Sequence, residues 1–104
     1  MSVIINGDSV ITSPLRVGFG NSNVTTNVAV GLDALNANTT GVNNVGVGYQ
    51  ALYSHTVGYN NTAVGRLASY TNVSGLNTTA VGNGALYSNT ASYNTGVGSG
   101  ALYT

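Results

Sequence analysis

A six-residue phrase recurs through this chain at a nearly constant interval, and that interval is the tightest constraint on its fold. Val30-Gly31-Leu32-Asp33-Ala34-Leu35 returns as Val47-Gly48-Tyr49-Gln50-Ala51-Leu52 and as Val64-Gly65-Arg66-Leu67-Ala68-Ser69. It returns again as Val81-Gly82-Asn83-Gly84-Ala85-Leu86 and as Val97-Gly98-Ser99-Gly100-Ala101-Leu102. The valines are 17, 17, 17 and 16 residues apart. A fixed period of this length is the signature of stacked supersecondary units, each burying its apolar face against the next.

Other positions keep the same register. Asn38, His55, Asn72 and Asn89 share one place, and Gly41, Gly58 and Gly75 another. Val42, Tyr59, Leu76 and Tyr93 form an apolar column, followed by Asn43, Asn60, Asn77 and Asn94. Tyr53, Tyr70, Tyr87 and Tyr103 align, with Asn36 in that place in the first copy. The consensus is Asn-Thr-Ala-Val-Gly-x-x-Ala-Leu-Tyr-Ser-Asn-Thr-x-Gly-x-Asn, and the fourth copy is one residue short, expected near Asn94-Thr95.

Each repeat offers two short extended pieces, such as Asn61-Thr62-Ala63-Val64 and Ala51-Leu52-Tyr53. A glycine turn (Gly48, Gly65) and an Asn-rich corner separate them, since glycine and Asn tolerate left-handed backbone. Apolar residues never hold helical spacing over three turns, so no helix is expected. The fold class that follows is all-β, a parallel β-solenoid or β-roll of about five 17-residue coils over residues 21–104. Identical residues then stack in columns. Val47, Val64, Val81 and Val97 form one expected core column, and Leu52, Leu86 and Leu102 another, with Leu35 at its start and Ser69 as a weak rung. Asn columns can form amide ladders along such a stack.

Residues 1–20 read as a separate arm and cap. Val3-Ile4-Ile5 and Ser9-Val10-Ile11-Thr12 are β-branched runs around Asn6-Gly7, a favoured hairpin turn, and Pro14 ends the second strand. Residues 15–27 read as an imperfect leading coil. Val3, Ile5, Val10 and Ile11 exceed what a small cap needs, so this hairpin is the expected attachment element.

Charge is nearly absent: Arg16 and Arg66 face Asp8 and Asp33, and there is no Lys or Glu. Nucleic-acid binding requires cations to displace counterions, and attraction to an anionic membrane surface requires them too, so neither partner is expected. No cysteine is available for a disulfide. Met1 to Asn6 lacks the basic flank of a secretory signal, and no apolar run reaches the ~18 residues of a membrane span.

The chemistry of catalysis is missing as well. His55 is the single histidine and takes a place that holds Asn in three other copies, which reads as a structural corner or surface residue. Asp8 and Asp33 lie in unrelated segments, no nucleophile elbow occurs, and no Gly-x-x-x-x-Gly-Lys precedes a helix. Calcium-binding β-roll repeats carry an acid in each turn, whereas one repeat does so here, at Asp33. No enzyme activity, cofactor or metal is expected.

The tyrosine column Tyr53, Tyr70, Tyr87 and Tyr103 admits three readings: packing within the stack, a contact surface for a sister chain or partner, or a platform for sugars. A stack this thin also has few large core residues per coil, and association between chains is a common remedy.

Asn-Thr-Ala-Val-Gly-x-x-Ala-Leu resembles the head repeats of YadA-type trimeric autotransporter adhesins. It is still more similar to the Asn-Thr-Ala-Val-Gly repeats in fibres and accessory proteins of tailed phages and large algal viruses. The resemblance covers residues 21–104. It implies a homotrimer of parallel β-rolls and, for a short chain without adhesin stalk or anchor, a capsid cement protein of a cyanophage or related phage. Such a protein would sit on the capsid exterior and bind the major capsid protein. The alternatives it implies are a receptor-binding tail fibre or spike segment and, third, a cell-surface adhesin head.

Overall fold

The computed structural model describes residues 17–104. The expected hairpin, with Val3, Ile5, Val10 and Ile11, lies outside the described residues. Within them the chain is all-β with no helix. Six short strands, β1 (Val17–Gly18), β2 (Val28–Val30), β3 (Val45–Val47), β4 (Thr62–Val64), β5 (Thr79–Val81) and β6 (Thr95–Val97), form one sheet in chain order. Strands β2 to β6 pair in parallel, Ala29 over Gly46, Ala63, Ala80 and Gly96 in turn. Parallel neighbours need a crossover of a dozen or more residues, commonly a helix. Here the rest of each coil supplies it, and the result is a β-solenoid of about four turns. The first turn is entered differently from a coil: β1 runs antiparallel to β2, Val17 opposite Val30.

Only one piece of each repeat is a strand. Ala-Leu-Tyr, expected to be extended, is a run of tight turns in which every second residue has positive φ: Gly48 at 126°, Gln50 at 58° and Leu52 at 53°. Alternating φ flips alternate peptide planes, so this segment bonds to both neighbouring coils. Gly48 and Gln50 donate N–H to Val30 and Leu32 one coil back, while Leu52 and Ser54 donate to Ala68 and Tyr70 one coil ahead. A leucine with left-handed backbone costs about 1–2 kcal/mol. Burial of its side chain returns about 1.5–3 kcal/mol. Leu35, Leu52 and Leu86 are fully buried, so the balance favours the turn.

The core therefore differs from the expected one in half its columns. Leu52 and Leu86 lie where they were expected, together with a buried alanine column, Ala34, Ala51, Ala68 and Ala85. Leu102, in the last coil, is 58% exposed. The valines do not fill a core. Val47 is half-buried, Val64 and Val81 are each 36% exposed and Val97 is 67% exposed, because the residue pointing inward from each strand is its central Ala or Gly. The cause is space. A Cβ on the inward Gly46 or Gly96 would already lie 3.3 Å or 3.2 Å from the carbonyl oxygen of Ala51 or Ala101 in the same coil. The coil leaves room for alanine opposite leucine, and valine is turned out.

The other half of the interior is polar. Asn27, Asn44, Asn61 and Thr78, each the residue before its strand, are buried in one column, and Asn38, His55 and Asn72 in a second. The short repeat is also relocated. Asn89 keeps the turn bond of Asn72, but Tyr93 donates N–H to Leu76 as Asn77 does to Tyr59, so the missing residue lies between Asn89 and Tyr93. Tyr93 consequently takes the left-handed corner of Asn43, Asn60 and Asn77, with φ 66°, and leaves the column of Tyr59.

Candidate interaction surfaces

Two outward columns define the sheet face. One is Val28, Val45, Thr62, Thr79 and Thr95; the other is Val30, Val47, Val64, Val81 and Val97. Side chains alternate across a strand, so the inward Ala or Gly between them leaves a furrow flanked by two β-branched ridges. In-register parallel pairing repeats this motif at every coil. The face carries methyl groups and a few hydroxyls and no charge.

The tyrosine column is assembled as the period required. Tyr53, Tyr70, Tyr87 and Tyr103 stack with centroids 5.1, 5.1 and 4.8 Å apart and planes within 6°. The spacing is close to the strand spacing, so one ring belongs to each rung. Partial desolvation, then the phenolate charges that Tyr53, Tyr87 and Tyr49 would carry, push the Tyr70 hydroxyl above its ordinary value. This geometry separates the three readings of the column. The faces of Tyr70 and Tyr87 are covered by neighbouring rings on both sides, so they offer edges and hydroxyls outward rather than a platform for a sugar ring. Tyr59 and Tyr93, expected as a second line, are exposed and out of register with one another.

Chain chemistry elsewhere on the surface is sparse. The described residues hold no group of three or more His, Cys, Asp or Glu placed to bind a metal ion. A depression of about 310 Å³ lies beside β1, lined by Val17, Ala29 and Asp33 among others. Asp33 is the single acidic side chain of residues 17–104, so no carboxylate pair forms there.

The buried polar network was not legible as such. Asn27 Oδ1 accepts from the backbone N–H of Asn44 (2.9 Å), Asn44 Oδ1 from that of Asn61 (3.0 Å), and Asn61 Oδ1 from that of Thr78 (2.9 Å). Their amide nitrogens donate to the carbonyls of Gly41, Gly58 and Gly75 at 2.8–3.0 Å. One direct amide rung joins Asn61 to Asn44 at 3.1 Å. The signal that points to this column is strand alternation: the Asn that opens Asn-Thr-Ala-Val-Gly is two residues from the inward alanine, hence on the same side.

Fold and surfaces together define a β-solenoid repeat protein with an apolar sheet face, a tyrosine ladder and a hydrogen-bonded polar interior. Compared with known protein families, curated proteins and solved structures, the chain matches none.

Proposed function

We propose that this chain is a virion structural protein, a homotrimeric capsid cement protein that binds the major capsid protein and bridges capsomers on the outside of a phage head. The observation that carries the reading is the uncharged sheet face. A regular array of valines, with Val97 67% exposed, is left in water by a single chain. Extended apolar surface of this kind marks a protein interface. A three-chain assembly would cover part of it and supply the buried area that a thin stack lacks. The likeness of the Asn-Thr-Ala-Val-Gly repeats to those of phage accessory proteins supplies the viral setting. A tail fibre that reads glycans is the second reading, and the closed faces of the tyrosine stack weigh against it.

Two measurements test the proposal. Sedimentation equilibrium of the purified chain should give three times the chain mass; a monomer at micromolar concentration overturns the trimer. Gradient separation of heads from tails of the source particle, followed by peptide mass spectrometry, should find the chain at high copy number with heads. A few copies with tails would replace cement by fibre.

A further inference from the structure

His55 stands where the other copies have Asn38, Asn72 and Asn89, and it is fully buried. Its Nδ1 lies 3.2 Å from the carbonyl oxygen of Asn72 in the next coil, and its Nε2 lies 3.3 Å from the amide nitrogen of Asn61. A carbonyl oxygen can only accept, so Nδ1 carries the proton. Nε2 is then an acceptor turned to the Asn61 amide nitrogen, sharing its two hydrogens with Asn44 Oδ1 and the Gly75 carbonyl.

The orientation of the Asn61 amide is fixed independently. Its Oδ1 accepts from the backbone N–H of Thr78 (2.9 Å) and from the Thr78 hydroxyl (2.7 Å). Its nitrogen donates to Asn44 Oδ1 (3.1 Å) and to the Gly75 carbonyl (2.8 Å). These four bonds join the coil that Asn61 opens to the coils before and after it. The remaining group against the ring is Gly58, on which a Cβ would meet the imidazole carbon at 2.5 Å. Among the described residues, the groups packed against the ring, Asn61, Asn72 and Gly58, are all neutral.

We infer that His55 is a proton-sensitive latch between coils, holding the stack together as a neutral Nδ1–H imidazole and loosening it when Nε2 is protonated. The protonated ring presents an N–H donor to an amide that is itself a donor, and backbone hydrogen bonding to Gly58 and Asn72 offsets the loss only in part. Rotating the Asn61 amide to offer its oxygen would point oxygen at the Asn44 and Gly75 acceptors and nitrogen at the Thr78 backbone N–H, breaking three bonds to make one; only the Thr78 hydroxyl can reverse its role. Gly58 packs close against the ring, with no room for a side chain between them. An Asn in this place has no proton to gain, so acid sensitivity is confined to the one coil that carries His.

Desolvation by burial lowers the His55 pKa below its ordinary 6.5, partly opposed by hydrogen bonding to Gly58 and Asn72. With the native value lowered, the unfolded chain takes up the proton first. Stability is therefore complete above about pH 6.5 and falls as pH drops toward the native value.

The test compares thermal and urea unfolding of the full chain and of His55→Asn between pH 7.5 and pH 5. The folding equilibrium constant of the unsubstituted protein should drop by up to about tenfold per pH unit below 6.5, while that of His55→Asn stays level over the same range. Nitrogen-15 NMR of the imidazole at pH 7.5 should show the Nδ1–H tautomer, a readout that does not depend on the variant folding. Parallel pH profiles for the two proteins, or an Nε2–H tautomer, would overturn the latch.

Discussion

Ser69 is the one place where the leucine column is broken, and replacing it gives a direct measure of how the interior is held. Leu35, Leu52 and Leu86 are fully buried at the equivalent positions, and Ser69 is buried as completely. Among the described residues its hydroxyl oxygen has no hydrogen-bond partner. The backbone already has the column's conformation, φ 54° against 53° at Leu52 and Leu86, so a leucine adds no new strain there. Space is available by the same comparison. Each leucine lies near the inward residue of the next strand, Leu35 at Gly46 and Leu86 at Gly96. The period pairs Leu52 with Ala63 and Ser69 with Ala80, and both Leu52 and Ala63 are fully buried, so an alanine in that place accommodates a leucine.

Burying a leucine contributes about 1.5–3 kcal/mol. Removing a buried hydroxyl without a partner adds about 1 kcal/mol or more. Ser69→Leu should thus raise stability by about 3 kcal/mol, which for a domain near this size shifts Tm by about 10–20 °C. Ser69→Ala isolates the hydroxyl contribution and should gain about 1 kcal/mol. Both are read by urea unfolding followed by far-ultraviolet circular dichroism. A Ser69→Leu protein no more stable than the parent would refute the reasoning, because it would mean that the third coil is closed more tightly than those on either side.

The glycine column predicts the opposite sign. Gly65→Ala places a Cβ 2.5 Å from the Gly82 carbonyl oxygen at φ 133°, so strain and overpacking together should cost at least about 3 kcal/mol in the same assay. Asn61→Ala leaves the Thr78 and Gly75 backbone groups unpaired in the interior and should cost about 2–5 kcal/mol, whereas Asn60→Ala, at an exposed corner, should cost less than about 1.5 kcal/mol; equal losses would contradict the ladder. For the tyrosine stack, ultraviolet titration should show Tyr70 ionising above its ordinary value and moving back toward it in Tyr53→Leu/Tyr87→Leu. Because the folded value is raised, its contribution to stability is present below pH 10 and is lost at higher pH.

Repetition alone settles how the coils stack. A 17-residue interval fixes which residues meet, and the parallel register of Val45, Thr62 and Thr79, the tyrosine ladder and the column of Leu35, Leu52 and Leu86 all follow from it. Composition likewise settled that the polar face would be amide rather than charge. Tertiary structure decided which side of each strand is inside. Asn-Thr-Ala-Val-Gly alternates, and shifting the inward set by one residue exchanges Val for Ala. Hydropathy favours valine inside; the coil is too narrow for it, because even a single Cβ at the inward Gly46 or Gly96 would press on the carbonyl oxygen of Ala51 or Ala101. Ala-Leu-Tyr is likewise a chain of turns instead of a second strand, a conformation that leucine propensity alone would not select. The short fourth copy was placed by hydrogen bonds between coils, since one omitted residue can be aligned at several points in a repeat but satisfies the neighbouring carbonyls at only one. His55 needed the structure most of all. Its place in the period was plain, but its neutrality comes from burial in the stack and its tautomer from the Asn72 carbonyl set against Nδ1.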